Sequence, residues 1–232
     1  MSTDPDASLN AALDRPLHVA AAALDWTRSP AGGVERKRFH RFGPAESGQV
    51  TSLVRYLPGA RFPAHPHPEG EEILVLEGVF SDARGDWVAG SWLANPEGFV
   101  HAPFSEAGCL IFVKLRQYPG ERPQAGLDTL GADFETVAPG VERLSLLEDG
   151  RFEERIAIER WDQGARVVLE APAGVELFVV SGTLRCSQGA DCNDLMQNDF
   201  LRLPPGGRAE CEALTDARVW LKRNAGAVLR GA

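Results

Sequence analysis

Two histidines and a glutamate stand close together in the first third of the chain. His65 and His67 are separated by one residue, and Glu71 follows at the start of an apolar stretch of strand length. On a β-strand, residues two apart point to the same face, so the two imidazoles should lie side by side. Glu71 can reach back beside them, although Glu69 and Glu72 are alternatives to it. Two imidazoles and a carboxylate form a mixed nitrogen and oxygen site that favours a divalent cation such as Zn, Fe(II), Mn, Ni or Cu(II).

A fourth ligand is expected, and the chain contains five histidines in all. His18 lies near the start of the chain, and His40 lies in a basic stretch. His101 follows an Asn-Pro pair and a glycine, which predict a tight turn before a new strand. That turn gives His101 a rigid approach, but the residues alone leave the choice of fourth ligand open.

The elements that must position these side chains are short strands. Glycines (24) and prolines (16) are spread along all 232 residues, and the apolar runs between them are short and rich in β-branched residues. No window keeps a helical period for three turns. Many short strands separated by frequent turns predict an all-β sandwich or barrel of antiparallel strands.

The chain also repeats itself. Residues 59–61 recur at 164–166 and residues 70–78 recur loosely at 174–182, so the offset stays near 105. We therefore predict two copies of one all-β unit. The copies differ at the candidate ligands, because Glu170 and Pro172 stand in the second copy where His65 and His67 stand in the first. The predicted organisation is a flexible tail over residues 1–15, a metal-binding domain over 16–118, a connector over 119–138 and a second domain without metal ligands over 139–232.

Two glycine-framed motifs resemble the signatures of the cupin superfamily. They are G-x5-H-x-H-x3-E-x6-G over residues 59–78 and G-x5-P-x-G-x2-H over residues 90–101. The resemblance implies two tandem cupin domains, each a jelly-roll β-barrel. It also implies that one metal ion is held by His65, His67, Glu71 and His101, which leaves His18 and His40 as non-ligands.

Within the superfamily, residues 52–59, 70–82 and 108–117 are similar to the cupin domain of ChrR-type anti-sigma factors. That resemblance implies zinc in the four-ligand site and a part in sensing oxidative stress. Those anti-sigma factors begin with a helical zinc domain that binds the sigma factor, and this chain has no room for it before the first cupin unit. Sigma-factor binding is therefore not carried over.

Two functions fit the same four ligands. The first is a stress-sensing or regulatory cupin, in which zinc held by four protein groups is structural or sensory. The alternative is a dioxygenase with Fe, Ni or Mn, which would keep positions open for a small diketone or a hydroxylated aromatic ketone in the barrel. A storage or purely structural protein is a third interpretation, and the intact ligand set argues against it.

Charge and cysteines give further expectations. The net charge of -9 disfavours nucleic acids and anionic membranes as partners. The first residues lack the pattern of a secretory signal, and no apolar run is long enough to span a bilayer. Four cysteines without CxxC spacing predict reduced thiols in a cytoplasmic protein, with a Cys186–Cys192 pair as the alternative. Family resemblance makes a homodimer possible, although two units in one chain could satisfy that contact internally.

Overall fold

The structure is a computed structural model, and it describes residues 8–29, 32–44 and 47–230. Contacts divide the chain into two compact units. The first holds residues 8–11 and Leu24–Ala132, and the second holds Ala12–Ala23 and residues 133–230. Of the predicted flexible tail, residues 1–7 lie outside the described residues, while Leu9 and Arg41 exchange two backbone hydrogen bonds. The predicted domain boundaries stay predictions.

The all-β prediction is confirmed. Besides strands, the described residues form two short 3-10 helices, Ala21–Ala23 and Ala225–Ala227. Neither is long or apolar enough to cross a bilayer, so no helix in the described part of the chain could do so.

The first unit consists of antiparallel strands. Its described strands are β2 (Thr27–Arg28), β3 (Val34–Phe42), β4 (Gln49–Tyr56), β5 (Ala60–Arg61), β6 (His65–His67), β7 (Glu71–Asp82), β8 (Gly85–Val88), β9 (Ser91–Asn95), β10 (Phe99–His101), β11 (Phe104–Ser105), β12 (Cys109–Leu115) and β13 (Ala125–Asp128).

One large sheet of this unit carries the strand order β13-β9-β7-β12-β4-β3-β2, and β6 and β10 form a separate ribbon. Alternate residues of neighbouring strands face the interior, as period-2 patterning requires. Val54, Ile111 and Val75 are register partners across β4, β12 and β7, and all three belong to the apolar core. The long strand β7 continues beyond this sheet and pairs with β8 and β11.

The second unit is built in the same way. Its described strands are β1 (Leu17–Val19), β14 (Glu135–Ala138), β15 (Val141–Leu147), β16 (Arg155–Trp161), β17 (Arg166–Ala171), β18 (Val175–Ser181), β19 (Leu184–Gln188), β20 (Asp191–Leu195), β21 (Phe200–Leu203), β22 (Gly207–Ala213) and β23 (Ala217–Arg223).

These strands form a sheet of order β1-β21-β18-β23-β16-β15-β14 and a second sheet of order β17-β22-β19-β20. One buried core takes Leu177 and Val219 from the first sheet and Leu169 and Ala209 from the second, so the two sheets face each other. In the described residues, hydrogen bonds do not join the sheets of either unit into one closed barrel. Each unit is therefore a jelly roll of the predicted class.

The prediction of reduced thiols is wrong for two of the four cysteines. Cys186 on β19 and Cys211 on β22 are register partners, and they form a disulfide. The alternative Cys186–Cys192 pair is excluded by the same bond. Strand pairing brings together two residues that are 25 apart in sequence, which their spacing could not indicate. Cys109 and Cys192 are free, the former buried and the latter exposed.

Candidate metal centre

The three candidate histidine ligands are brought together by one ribbon of two strands. In the antiparallel pair β6–β10, His65 lies opposite His101, and His67 lies two residues further along β6 on the same face. One ring nitrogen from each of the three histidines can serve as a ligand, and these three atoms lie within 4.8 Å of one another. Gly98 closes the ribbon with φ +81°, a conformation that favours glycine, and its N–H donates to the His67 carbonyl at 2.8 Å.

Glu71, the first residue of β7, lies beside two of these three histidines. Its Oε2 atom lies 3.5 Å from Nε2 of His67 and 3.5 Å from Nε2 of His101. Asn95, the register partner of Glu71 on β9, donates from Nδ2 to the same oxygen at 3.0 Å and holds the carboxylate in place. Glu72 is the next residue on the strand, so its side chain points to the other face of the sheet.

The distances suit one shared cation. Ligand bonds of about 2.1 Å place neighbouring donors roughly 3.0 Å apart in octahedral geometry and roughly 3.4 Å apart in tetrahedral geometry. The Nε2 atoms of His67 and His101 lie 2.9 Å apart, and the Glu71 oxygen lies 3.5 Å from each of them. Two imidazole lone pairs at that distance repel each other unless a proton or a cation lies between them. The donor set therefore fits a divalent metal ion.

Two of the imidazoles are oriented by acceptors behind them. Nδ1 of His65 lies 2.9 Å from the Pro63 carbonyl, which can only accept, so Nδ1 carries the proton and Nε2 remains as the ligand atom. Nδ1 of His101 lies 3.4 Å from Oδ2 of Asp82, which leaves Nε2 of His101 toward His67. Arg84 donates from Nη2 to the same Asp82 oxygen at 2.6 Å. Such outer hydrogen bonds fix the tautomer of a metal-binding histidine.

The surroundings of His67 and Asp82 shift the pKa values of these two groups. Burial lowers the pKa of His67, and the neighbouring His101 and His65 lower it further against the opposing effect of Glu71, so the ring stays neutral. Burial alone would raise the pKa of Asp82, but hydrogen bonds from His101 and Arg84 outweigh it and hold that pKa far below its usual value. Asp82 is thus an ionised carboxylate beside Nδ1 of His101.

The remaining candidates lie elsewhere. His18 on β1 lies in the second unit, where its Nε2 is 3.4 Å from Oδ2 of Asp199. His40 is fully buried on β3 and packs against the ring of Phe42. Within the described residues, the three-histidine cluster is the one group of His, Cys, Asp or Glu side chains whose ligand atoms meet in this way. Asp82, Arg84 and Asn95 support the cluster, and sequence reasoning missed all three.

The cluster lies beside a cavity of about 430 Å³. His65, His67, Glu71 and His101 line it, and the inner face of the large sheet supplies an apolar wall. That wall includes Val54, Ile111, Val113 and Phe80.

Comparisons with solved structures find proteins that share this architecture. A protein from Nostoc punctiforme proposed to be a dioxygenase has a TM-score of 0.73 at 13% identity over 94% of this chain and 87% of its own. A protein from Pseudomonas aeruginosa proposed to be glyoxylate-induced has a TM-score of 0.73 at 11% identity over 99% and 95%. Salicylate 1,2-dioxygenase from Pseudaminobacter salicylatoxidans has a TM-score of 0.67 at 13% identity over 94% and 86%. At these identities the likeness concerns the fold.

A family model matches the part of the chain that contains the first unit. Residues 14–119 match the model of the ChrR cupin-like domain, which is the resemblance that the motifs of the first unit indicate. No curated protein sequence matches the chain.

Proposed function

We propose that the first unit binds one divalent metal ion through His65, His67, Glu71 and His101, and that the chain is a metal-dependent dioxygenase. The observation that carries this proposal is the position of the ligand cluster beside a cavity of about 430 Å³. A volume of that size suits a small molecule, because ligand pockets range from roughly 300 to 1,000 Å³. A metal buried for a purely structural purpose has no need of such a space.

The ligand set leaves room for chemistry. Four protein donors would leave about two positions of a six-coordinate cation open. A redox-active ion such as Fe(II), Mn or Ni would supply Lewis-acid and electron-transfer chemistry at those positions. A small diketone or a hydroxylated aromatic ketone offers two adjacent oxygens, which suit a pair of open positions. These compounds are therefore the substrate class that we propose.

Protein groups around the cavity would orient such a substrate. Tyr56 lines the cavity and packs edge-on against Phe80, with ring centroids 5.8 Å apart. Burial raises the pKa of Tyr56, and the negative charge of Glu71 raises it further, so the phenol stays protonated. Its O–H can donate a hydrogen bond to a substrate oxygen, while Phe62 and Phe80 exclude water from the same space.

A regulatory cupin is the second candidate, and the ChrR-like family match over residues 14–119 favours it. In that case, zinc would fill the four-ligand site, and an oxidant or a small molecule would perturb it. The two functions share the ligands and differ in the metal and in its reactivity.

One experiment separates them. The protein is purified without chelator or added metal, its metal is identified by elemental analysis, and oxygen uptake is then measured with pentane-2,4-dione and with a 2-hydroxy aromatic ketone. Samples reloaded with Fe(II), Mn or Ni are assayed in parallel, and His101→Ala serves as the matched inactive control. Oxygen uptake that requires both the metal and His101 is the expected result. Stoichiometric zinc, with no oxygen uptake under any metal, would refute the dioxygenase and leave the regulatory function.

A further inference from the structure

The cavity beside the metal site has a basic wall. Arg36, Arg38 and Arg116 all line it, whereas Glu71 is the one acidic side chain among the described lining residues. Glu71 is itself one of the four proposed metal ligands. The described lining thus contains more basic than acidic side chains, although the chain as a whole has a net charge of -9. Guanidinium groups that line a small cavity favour anionic groups in the molecules that the cavity binds.

Strand geometry accounts for two of these arginines. Arg36 and Arg38 are two residues apart on β3, so their side chains leave the same face of the sheet. Their register partners on β4 are Val54 and Ser52, which also line the cavity.

Arg36 is tied to the histidine side of the cavity through Phe62. The Arg36 guanidinium lies over the Phe62 ring, 5.7 Å from its centroid, and that ring lies 5.6 Å from the ring of His65. An aromatic ring that stacks on a guanidinium helps to fix its plane. Arg36 thus packs on the same Phe62 ring that lies beside His65 of the candidate metal site.

The third arginine reaches the cavity from the end of β12. Arg116 has φ +61°, a left-handed conformation that is uncommon for a residue with a side chain. Two hydrogen bonds hold it there, from its own N–H to the Gly70 carbonyl at 2.9 Å and from Gln49 Nε2 to its carbonyl at 2.8 Å.

We infer that the natural substrate carries a carboxylate, recognised by Arg36, Arg38 and Arg116, in addition to the oxygen pair that binds the metal. This inference rests on the proposed function, since it assumes a metal-bound substrate in the same cavity. Guanidinium groups recognise carboxylates through charge-assisted, often paired hydrogen bonds. The substrate would thus be a diketone or hydroxylated aromatic ketone that also carries a carboxylate.

The test compares two diketones that differ in one charge. The probes are 2,4-dioxopentanoate and its methyl ester, which offer the same pair of oxygens to a metal. Zinc-loaded protein is used because zinc is redox-inert, so binding is measured by calorimetry without turnover. The acid is expected to bind about tenfold or more tightly than the ester, because hydrogen bonds to charged groups are worth that factor or more. The preference should shrink as salt is raised.

Substitutions test which residues cause the preference for the acid over the ester. Arg36→Met, Arg38→Met and Arg116→Met are each expected to weaken binding of the acid by about tenfold and to leave binding of the ester unchanged within about twofold. Arg61→Met is the matched control, because Arg61 is an exposed arginine of the same unit that pairs with Glu106 and does not line the cavity.

The outcomes are distinguishable. Equal binding of acid and ester by the wild-type protein would overturn the inference without requiring any variant. A preference for the acid that survives all three cavity substitutions would overturn the assignment to these arginines. Either result leaves zinc binding and the proposed metal site intact. Failure to load zinc at all would instead refute the proposed function, and this inference with it.

Discussion

Replacing Asp82 by asparagine should weaken metal binding although Asp82 is not itself a proposed ligand. Its carboxylate lies 3.4 Å from Nδ1 of His101, and its side chain is only 1% exposed. Asparagine keeps the shape of this group and removes its charge. His101 would then lose the partner that fixes its tautomer and increases the basicity of Nε2. The expected effect is therefore on metal affinity, with the fold retained.

The size of the effect follows from the length of the contact. Removing an outer-shell partner of a metal-binding histidine costs roughly 10- to 100-fold in affinity. The separation of 3.4 Å is longer than the roughly 2.7–2.9 Å of a strong charge-assisted hydrogen bond. The loss of affinity should therefore lie at the lower end of that range. We expect a loss of about tenfold, which corresponds to about 1.4 kcal/mol.

The assay is competition for Zn²⁺ against a chromophoric chelator at pH 7.5. The second unit offers a matched control, because Asp149 and Arg151 repeat the local Asp-x-Arg hydrogen bonding of Asp82 and Arg84 at an exposed site. Asp149→Asn should leave zinc affinity unchanged. If Asp82→Asn binds zinc within twofold of the wild type while unfolding at the same temperature, the proposed role of Asp82 behind His101 is wrong.

Three further predictions follow from other parts of the chain. His101→Ala should lose most of the bound metal in elemental analysis, whereas Glu170→Ala, at the second-copy position that matches a histidine, should keep a full complement. Iodoacetamide at pH 8 should label exposed Cys192 well before Cys109, as peptide mass spectrometry would show, because burial raises the pKa of Cys109 to about 11. Since the folded state favours the neutral Cys109 thiol, its stabilising contribution is complete below about pH 9 and is lost as pH rises through about 11. Replacing both cysteines of the second-unit disulfide by alanine should lower the free energy of unfolding by about 3.5 kcal/mol, because the bond closes a loop between residues 25 apart. Urea titrations would measure this loss, and a value below about 1 kcal/mol would contradict the reasoning.

Sequence reasoning could predict the strands and the ligand cluster because both depend on local periodicity. His65 and His67 share a face for the same reason that Ile73 and Val75 do, and both pairs face the interior of the first unit. The opposing position of His101 could be predicted only from the family motif, because strand register is a property of the folded sheet.

Asp82 shows where periodicity fails. Strand β7 carries an extra residue relative to β12, since Val75 pairs with Ile111 while Glu77 pairs with the adjacent Leu110. Such a bulge reverses which residues face inward. Odd-numbered residues face the interior before it, and Phe80 and Asp82 face the interior after it. A simple alternation continued from Glu71 would point Asp82 to the wrong face, so its contact with His101 could not be predicted.

At the matching register positions, the second unit has two oppositely charged side chains instead of two histidines. Where the first unit pairs His65 with His101 across β6 and β10, the second pairs Glu170 with Arg208 across β17 and β22. Arg208 Nε donates to Glu170 Oε1 at 3.0 Å. The positions that match two proposed ligands are thus an ion pair, which satisfies both charges without a metal ion. An exposed pair of this kind adds little stability and has no affinity for a metal ion.

At the position of the proposed carboxylate ligand, the second unit has an apolar residue instead of a charged one. In the first unit, Glu71 and Asn95 are register partners at the start of β7 and the end of β9, while in the second unit Val175 and Leu203 are register partners on β18 and β21. Val175 and Leu203 are almost fully buried and belong to the apolar core. A carboxylate in that interior would lack partners and would cost several kcal/mol. In the first unit, the imidazoles, the Asn95 amide and the proposed cation satisfy Glu71. The residues at these few register positions therefore decide which copy can hold a metal, although both copies share the fold.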